Sequence, residues 1–209
     1  MKRIRTAVIG LGFIGVAHVE ALRRVPYVDV VAIVNRSGAQ EKAEALGVPE
    51  GYADYIEMMD RVHPDCVHIC TPNDMHKDIA LAAFERGIHV VCEKPMARDA
   101  EEAQLMVEAA KKAGVIAAVN FHNRYYPIPH QMRRMVMNGE LGDVFHVQGG
   151  YLQDWLLYNT DFSWKIVAAQ CGKTRVTADL GSHWIDLAEY VTLQRVTEVF
   201  AEFKTVYPT

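Results

Sequence analysis

Short apolar runs alternate with longer amphipathic stretches along the first 120 residues of the chain. The apolar runs predict strands that are covered on both faces, because a strand with one wet face would alternate apolar and polar side chains. Glycines and acidic caps mark the ends of the helices predicted between them. This alternation predicts an α/β fold with a doubly wound parallel sheet. The predicted strands are Thr6–Ile9, Val28–Val34, Cys66–Cys70, Ile88–Cys92 and Val115–Val119, and the predicted helices are Val16–Arg24, Ala39–Leu46, Asp54–Arg61, Asp74–Arg86 and Asp99–Ala113.

The pattern changes after residue 120. Two prolines precede a helix predicted to reach Asn138, and alternation from Asp143 to Leu152 predicts a half-exposed strand. A helix from Asp179 to Leu193 and a strand from Thr197 to Val206 are predicted to follow. A strand, a crossover and another strand indicate the start of an α+β domain with an open sheet, which we expect to be truncated. The predicted domains are residues 1–122, for dinucleotide binding, and residues 123–209, a partial domain for substrate binding and oligomerisation.

The pattern Gly-x-Gly-x-x-Gly stands between the first predicted strand and its helix, at Gly10, Gly12 and Gly15. In a dinucleotide-binding turn the first glycine permits the bend, the second lets the backbone approach the pyrophosphate, and the third allows close packing of helix and strand. The free N–H groups of the helix face the negative charge. The alternative is a glycine-rich turn in some other α/β domain. The context favours an N-terminal Rossmann domain.

The composition narrows the class of protein. The chain has 209 residues, of which 50% are hydrophobic and 23% charged, and its formal net charge is −4. The mild acidity and the lack of a basic run argue against nucleic acid as a partner. No segment approaches the length of a membrane span, and the basic N-terminus leads into the first strand instead of a signal-peptide core. We expect a cytoplasmic protein that acts on a small molecule, with no membrane partner.

Four cysteines show no spacing typical of a disulfide framework, so we expect buried thiols. A metal site is the alternative, since Cys66, His68 and Cys70 would share one face of a strand, with His63 nearby. That strand is predicted to lie inside the sheet with both faces covered, whereas structural zinc takes its ligands from turns or separated pairs. We predict no metal.

Two further segments are predicted to leave the carboxyl ends of strands, where open α/β sheets bind their ligands. One is Thr71-Pro72-Asn73-Asp74-Met75-His76 and the other is Glu93-Lys94-Pro95. A proline disfavours helix for the residue before it, so Lys94 is expected on an extended loop. The alternative is a surface lysine in a turn.

Asp179 and His183 stand four residues apart in the last predicted helix and therefore share a face. A carboxylate and an imidazole on one face can act together on a substrate hydroxyl. The alternative is an N-cap aspartate and a helix histidine without a chemical role.

These motifs occur together in the order of one family. The glycine turn, Thr-Pro-Asn-x-x-His, Glu-Lys-Pro and Asp-x-x-x-His make the chain resemble the glucose–fructose oxidoreductase, inositol dehydrogenase and MocA (Gfo/Idh/MocA) family of NAD(P)-dependent sugar and polyol dehydrogenases. The resemblance covers essentially the whole chain. It implies hydride transfer between a nicotinamide cofactor and a secondary hydroxyl of a sugar or cyclitol. It also implies His183 as the general base, Lys94 as the group that stabilises the oxyanion, and Asp179 as the orienting group.

The binding residues follow from the same resemblance and, for Asn35, Arg36 and Ser37, from their place after the second predicted strand. The cofactor is expected to contact Gly10, Gly12, Phe13, Ile14, Gly15, Asn35, Arg36, Ser37, Thr71, Pro72, Asn73, His76, Glu93 and Lys94. The substrate is expected to contact Lys94, Arg124, Trp155, Asp179 and His183. Aromatic faces suit sugar rings, although Trp155 could equally be core packing. We also expect a homo-oligomer.

The choice of cofactor depends on the residues after the second strand. An acid there would bond to the ribose hydroxyls and repel a 2′-phosphate, but the chain has Asn35-Arg36-Ser37. An arginine pairs well with phosphate oxygens, so NADP is favoured. Arg36 stacked on the adenine would leave NAD acceptable.

Two other functions stay open. The family normally continues well past this length, which favours a nucleotide-binding module or an inactive truncated homologue without turnover. The presence of Lys94, Asp179 and His183 together favours the enzyme. A reductase of the biliverdin or dihydrodiol type is a third possibility, and the Asp-x-x-x-His pair favours a polyol substrate over it.

Overall fold

The computed structural model describes residues 3–205 and forms two compact units. The first unit extends to Asn120 and also contains the later segment Ala168–Lys173. The second unit consists of Phe121–Val167 and the chain from Thr174 onward. The return of Ala168–Lys173 to the first unit is not predicted by the sequence pattern.

The first unit is built on a six-stranded sheet. Its strands are β1 (Ile4–Ile9), β2 (Val28–Val34), β3 (Glu50–Tyr52), β4 (Cys66–Ile69), β5 (His89–Glu93) and β6 (Ala117–Asn120). Its helices are α1 (Phe13–Leu22), α2 (Ala39–Ala45), α3 (Tyr55–Val62), α4 (His76–Glu85), α5 (Ala100–Ala113) and α7 (Ala168–Cys171), the last from the returning segment. The strand order is β3-β2-β1-β4-β5-β6 and every pairing is parallel. This is the order of dinucleotide-binding folds, so the predicted Rossmann sheet is confirmed.

The sheet carries an apolar core on each face, because successive side chains of a strand point in opposite directions. Ala7 and Ile9 of β1 belong to one buried cluster, and Val8 belongs to the other. The first cluster includes buried side chains of α3, α4 and α5, and the second includes those of α1 and α2. Helices therefore cover both faces, as the uninterrupted apolar strands predict.

Capping side chains set the ends of two helices at the predicted positions. Asp54 accepts a hydrogen bond from the Glu57 N–H at 2.8 Å where α3 begins, and Asp99 accepts one from the Glu102 N–H at 2.9 Å where α5 begins. Each bond satisfies an N–H group that a first helical turn leaves without a partner. Gly114, with a φ of 66°, ends α5 in the left-handed conformation that glycine favours.

The sequence pattern misses one strand of the first unit. β3 has only three residues, which pair with the end of β2, and this length is too short to produce a recognisable alternation. The predicted helix Asp74–Arg86 divides into a 3₁₀ turn, Asn73–Met75, and α4.

The second unit contains α6 (Pro127–Met137) and α8 (Ser182–Thr192), with a π-helical turn at Thr177–Gly181 directly before α8. Two 3₁₀ turns, His122–Tyr125 and Trp164–Ile166, complete its regular structure over the described residues. The guanidinium of Arg133 on α6 lies 4.6 Å from the ring centre of Tyr190 on α8, which ties the two helices together. Within residues 3–205, no helix is long and apolar enough to cross a membrane.

The two strands predicted for the second unit are wrong over the residues that the structure describes. Among residues 3–205, neither the stretch 143–152 nor the stretch 197–205 forms a strand of a sheet, and Val206, the predicted end of the second strand, lies outside the described residues. Alternating apolar and polar side chains suit a half-exposed strand, but a strand forms only where a neighbouring backbone completes its hydrogen bonds. Phe145, Leu152 and Phe200 on these stretches are correspondingly exposed.

Candidate functional site

The glycine turn after β1 is closely packed at two of its three glycines. Gly10 has a φ of 93°, and a Cβ atom placed on it would lie 2.8 Å from the carbonyl oxygen of Cys70 at the end of β4. A Cβ atom on Gly15 would lie 1.9 Å from the carbonyl oxygen of Gly10. Any side chain at either position would force the backbone apart, so the first turn of α1 packs against the loop in the way a dinucleotide-binding turn requires.

Gly12 faces open space, since nothing lies within 4 Å of the position that an added Cβ atom would occupy. It is the N-cap of α1 in an extended conformation and contributes no side-chain hydrogen bond. Phe13, the first residue of α1, is 92% exposed. The N–H groups of the first helical turn have no partner inside a helix, and they attract anions. The open space at Gly12 and the uncapped helix end fit a pyrophosphate group.

This turn lies at the point where the strand order reverses. β1 stands between β2 and β4, so the chain leaves it in one direction for β2 and β3 and in the other for β4, β5 and β6. The crevice beyond the carboxyl ends of strands at such a point is the usual ligand site of open parallel sheets. The loops after β1 and β4 meet there, at Gly10 and Cys70.

The segment after β2 is partly used by its own loop. Asn35 accepts a hydrogen bond from the Leu11 N–H at 3.3 Å and donates one to the Ser37 carbonyl at 2.6 Å. Arg36 and Ser37 are exposed. Asn35 therefore links the end of β2 to the glycine turn, and it holds the Arg36 segment beside that turn.

The loop after β4 carries the predicted Thr71, Pro72, Asn73 and His76. Among the described residues nothing hydrogen-bonds the buried Oγ1 of Thr71, so this hydroxyl is available to a ligand atom. Asn73 is buried and donates to the carbonyl of Cys171 at 3.2 Å. Thus Thr71 has hydrogen-bonding capacity to spare, whereas Asn73 serves the packing of the returning segment against the loop.

His76 bridges the loops after β4 and β5. Its Nε2 lies 2.9 Å from the carbonyl oxygen of Thr71, and its Nδ1 lies 2.9 Å from that of Pro95. Burial lowers the pKa of His76, although bonds to two carbonyls favour the charged ring. The side chain is 1% exposed, so it holds the two loops together from inside.

Glu93 and Lys94 end β5 and begin its loop. Glu93 is buried, and its Oε1 accepts hydrogen bonds from Asn120 at 2.6 Å and from His18 at 2.9 Å. Its Oε2 accepts the backbone N–H of Lys94 at 3.3 Å. Both oxygens of Glu93 therefore have partners within the chain, and Lys94 is half-buried on the loop that the sequence predicts.

In the second unit Asp179 forms an ion pair with a residue that the sequence analysis does not single out. Lys165 donates to both carboxylate oxygens, at 2.8 and 3.0 Å, and its ammonium lies 5.1 Å from the ring centre of Trp155. A cavity of about 150 Å³ lies beside them, lined among others by Gln153, Trp155, Lys165, Arg175 and Asp179. The structure thus brings the predicted Trp155 and Asp179 together.

His183 lies in the first turn of α8 and is 4% exposed. Tyr151 stacks on its ring with the centres 5.7 Å apart, and His122 meets it edge-on at 5.2 Å. Asp179 lies on the π-helical turn just before α8 instead of on the regular helix predicted for it. Such turns occur frequently at functional sites, and here one joins two of the predicted catalytic residues.

Arg124 is engaged within its own unit. Its guanidinium forms a two-pronged ion pair with Asp186 on α8, with Nε 2.7 Å from Oδ2. This hydrogen bond raises the pKa of Arg124 further above its ordinary value. The guanidinium also lies 5.3 Å from the ring centre of Tyr190. The structure gives Arg124 a packing role, and its predicted contact with substrate stays a prediction.

Cys66, Cys70 and Cys92 of the first unit are free thiols. Burial raises the pKa of Cys66 to about 11 and raises those of Cys70 and Cys92 further, so these thiols stay protonated and unreactive at neutral pH. Over residues 3–205, no three His, Cys, Asp or Glu side chains are grouped so that they could hold a metal ion.

The chain resembles known proteins along nearly its whole length. Levoglucosan dehydrogenase of Pseudarthrobacter phenanthrenivorans is 32% identical over 202 residues, which cover 91% of this chain and 52% of that protein. Myo-inositol 2-dehydrogenase of Thermotoga maritima is 30% identical over 201 residues, which cover 95% of this chain and 58% of that protein. The chain therefore spans about half the length of these relatives.

Solved structures give the same result. An oxidoreductase domain protein from Kribbella flavida superimposes with a TM-score of 0.88 at 34% identity, covering 93% of this chain and 55% of that one. Levoglucosan dehydrogenase in complex with NADH and levoglucosan superimposes with a TM-score of 0.86 at 31% identity, covering 91% of this chain and 54% of that one.

Two family profiles divide the chain between them. The oxidoreductase family with an NAD-binding Rossmann fold matches residues 4–121, and the GFO/IDH/MocA C-terminal domain matches residues 130–209. The first profile alone covers more than half of the chain, and the glycine turn, the strand order and the loops after β4 and β5 agree with it. The chain belongs to the Gfo/Idh/MocA family of oxidoreductases.

Proposed function

We propose that the protein is an NAD(P)-dependent dehydrogenase that transfers a hydride between a nicotinamide cofactor and a secondary hydroxyl of a sugar or cyclitol. The observation that carries the proposal is the glycine turn, which is closed at Gly10 and Gly15 and open at Gly12. An ordinary connection between a strand and a helix needs neither the close approach nor the uncapped helix end. A pyrophosphate needs both.

We assign the cofactor to residues 1–122 and the substrate side to residues 123–209. The free hydroxyl of Thr71, the backbone beside Phe13 and Ile14, and the loop that carries Lys94 support the first assignment. The cavity beside Trp155 and Asp179 supports the second.

The chemistry divides between the cofactor and the chain. A bound nicotinamide supplies the hydride acceptor for the oxidation of the hydroxyl. In the proposal, an imidazole nitrogen of His183 takes the hydroxyl proton. The Lys94 ammonium stabilises the negative charge that develops on the oxygen. Asp179 orients the hydroxyl, and Lys165 supports this role because it holds both carboxylate oxygens in place.

The relatives support the class of substrate. The named activities of the Pseudarthrobacter and Thermotoga proteins concern levoglucosan and myo-inositol, a sugar derivative and a cyclitol. We propose a substrate of this kind. The stacking face of Trp155 in the cavity of the second unit suits a pyranose or cyclitol ring.

For the cofactor we propose NADP ahead of NAD. No carboxylate follows β2 to repel a 2′-phosphate, and the exposed Arg36 offers it a guanidinium. The structure of levoglucosan dehydrogenase with NADH supports NAD instead, at 31% identity. The preference is therefore a separate part of the proposal and has its own test.

The first experiment is a fluorescence titration of the 209-residue chain with NADPH and NADH, followed by turnover assays on a panel of sugars and cyclitols. Saturable binding and turnover of any panel member support the proposal. His183→Asn and Lys94→Ala should each abolish most turnover, whereas His146→Asn and Lys112→Ala, both at exposed positions, should not. Near-normal turnover in both test variants contradicts the assigned roles, and failure to bind either cofactor contradicts the function.

A nucleotide-binding module without turnover is the second candidate. The stretches 143–152 and 197–205, which pair with no other strand in the described part of the chain, favour it. Saturable cofactor binding without turnover of any panel member would support this candidate over the dehydrogenase.

We further propose that the protein acts in the cytoplasm as a homo-oligomer. Phe145, Leu152 and Phe200 support self-association, because each side chain is more than nine-tenths exposed and apolar (92%, 93% and 95%). Sedimentation velocity tests this point, and a single monomeric species at micromolar concentration contradicts it.

A further inference from the structure

Four polar side chains from four elements meet inside the first unit. They are His18 of α1, His68 of β4, Glu93 of β5 and Asn120 of β6. The side chains of His18 and Glu93 are only 9% and 7% exposed. Burial of ionisable groups costs free energy unless their hydrogen bonds are complete, and apolar residues would fill the same space without this cost. The cluster is therefore expected to have a task besides packing.

The contacts form a chain that starts at His68. Its Nδ1 lies 2.8 Å from Nδ1 of His18, and Nε2 of His18 lies 2.9 Å from Oε1 of Glu93. Asn120 donates its side-chain amide to the same Oε1 at 2.6 Å. His18 thus uses both ring nitrogens, one toward His68 and the other toward Glu93, and its ring orientation is fixed at both ends.

The protons in this cluster can be counted. Burial alone would raise the pKa of Glu93, but the hydrogen bonds from His18 and Asn120 outweigh it and hold the pKa below its ordinary value. An ionised carboxylate only accepts, so Nε2 of His18 carries the proton in its bond to Glu93. Burial lowers the pKa of His68 to about 4, which leaves this ring neutral at neutral pH. The contact between Nδ1 of His18 and Nδ1 of His68 is then a hydrogen bond in which only one of the two nitrogens carries a proton.

The other carboxylate oxygen of Glu93 connects the cluster to the backbone of the loop after β5. Its Oε2 accepts the backbone N–H of Lys94 at 3.3 Å, and the carbonyl of the next residue, Pro95, bonds to His76 at 2.9 Å. The loop is thus held at two consecutive residues by buried side chains. The hydrogen bond from the Lys94 N–H depends on the orientation of the Glu93 carboxylate, which the bonds from His18 and Asn120 fix.

We propose that His18 is a positioning residue for Lys94: supported by His68, it holds the Glu93 carboxylate in the orientation that fixes the backbone of Lys94. The value of this for catalysis rests on the proposed function, in which Lys94 stabilises the oxyanion. The effect on the backbone does not depend on any cofactor and can be measured without one.

The test compares two substitutions in the full chain without cofactor. His18→Gln keeps an amide near the position of Nε2, where it can donate to Glu93, whereas His18→Asn is too short and retains only the contact toward His68. Hydrogen exchange of the Lys94 amide, measured by NMR, should rise about 10-fold in His18→Asn and stay within about 3-fold of the unmodified chain in His18→Gln. The amides of Val67 and Val90 report the sheet and should be unchanged.

Unchanged exchange at Lys94 in His18→Asn overturns the proposal, and so does an equal rise in both variants. If His18→Asn does not fold, the unmodified chain still decides, because ¹⁵N spectra show which ring nitrogen of His18 carries a proton. An unprotonated Nε2 overturns the proposal, and a protonated Nε2 coupled across the bond to Glu93 supports it.

Catalysis provides the second readout. In an active enzyme His18→Asn should lower kcat about 10-fold with little change in the KM for cofactor, and His18→Gln should restore most of the loss. Equal kcat values in His18→Asn and the unmodified chain overturn the link to Lys94. His146→Asn is the matched control at an exposed position. Failure of the proposed function would appear differently, as an unmodified chain that binds no cofactor while the exchange pattern at Lys94 holds.

Discussion

Lys165 donates to both carboxylate oxygens of Asp179, at 2.8 and 3.0 Å, so the predicted catalytic carboxylate is one half of an ion pair. The two side chains are 30% and 18% exposed, which places the pair at the wall of the cavity and partly out of water. An ion pair in such a place fixes the direction of the carboxylate. Lys165 is therefore expected to matter for any role that Asp179 has.

Lys165→Met should lower kcat/KM about 10-fold or more, since it removes from Asp179 the ammonium that bonds to both carboxylate oxygens in a partly dry site. Lys165→Arg keeps the charge and should lose less. Steady-state kinetics on the best substrate of the panel measure the effect. The matched control is Lys112→Met on the exposed face of α5, which should leave kcat/KM unchanged. Equal kcat/KM for Lys165→Met and the unmodified chain would show that the ion pair has no part in turnover.

Gly12 and Gly15 should respond differently to alanine. In Gly15→Ala the new Cβ atom meets the carbonyl oxygen of Gly10 at 1.9 Å, so we expect a loss of about 1–3 kcal/mol in the free energy of unfolding and weaker cofactor binding. In Gly12→Ala the new Cβ atom meets nothing, so stability should be unchanged. It occupies the space assigned to the pyrophosphate, however, and binding should weaken about 10-fold or more.

Urea unfolding and the fluorescence titration separate these two effects. Gly150→Ala is the control. The new Cβ atom would again have no neighbour within 4 Å, and Gly150 lies outside the first unit. It should change neither quantity. Full cofactor affinity in Gly12→Ala would contradict the placement of the pyrophosphate, and full stability in Gly15→Ala would contradict the close packing of the turn.

Arg36→Ala tests the choice between NADP and NAD. A guanidinium that pairs with the 2′-phosphate contributes to the binding of NADPH and not to that of NADH, so its removal should weaken NADPH about 10-fold or more and leave NADH nearly unchanged. The ratio of the two dissociation constants is the quantity to measure. Arg24→Ala, exposed just after the end of α1, is the control. An equal loss for both cofactors would indicate that Arg36 stacks on the adenine, and the NADP preference would be wrong.

Local signals in the sequence were sufficient for most of the first unit. Asp54 and Asp99 cap their helices through bonds that span three residues, and the apolar runs produce strands because both faces of the sheet are covered. β3 was not predicted, because three residues are too few to show a periodicity. The two strands predicted after residue 140 failed for a different reason, since alternation describes a side-chain pattern and says nothing about a partner backbone.

The contacts at the candidate site were harder to predict from the sequence. The pairing of Lys165 with Asp179 spans 14 residues, and that of His18 with Glu93 spans 75. Neither separation matches the spacing of neighbours in a helix or a strand, so a local sequence pattern does not predict either pair. Sequence reasoning located the glycine turn and the loops after β4 and β5, because these follow directly from strand ends. His18 is not singled out in the sequence analysis, and only the fold brings this ring against Glu93.

The stability of the first unit should fall in two pH windows, which overlap only slightly, as the solution is acidified. The pKa of His68 is lowered by burial from 6.5 to about 4, and that of Glu102 is lowered from 4.5 to about 2, chiefly by its hydrogen bond with Arg98. In each window the unfolded chain binds a proton that the folded chain does not, so acid favours unfolding. His68 therefore reduces stability between about pH 6.5 and 4, and Glu102 between about pH 4.5 and 2.

His68→Gln should make the upper window shallower, and Glu102→Gln the lower one, in plots of the urea midpoint against pH. Neither window should vanish, because the lowered pKa values of His76 and Glu93 also contribute to the loss of stability in acid. A glutamine side chain does not titrate, so each variant removes one contribution and leaves the other. Glu102→Gln should also lower stability at neutral pH, where the charged carboxylate bonds to Arg98 and Lys77. His146→Gln, at an exposed position, is the control for both plots. An upper window of undiminished depth in His68→Gln would mean that His68 binds its proton as readily in the folded chain as in the unfolded one, and the lowered pKa behind the proton count in the His18 cluster would then be wrong.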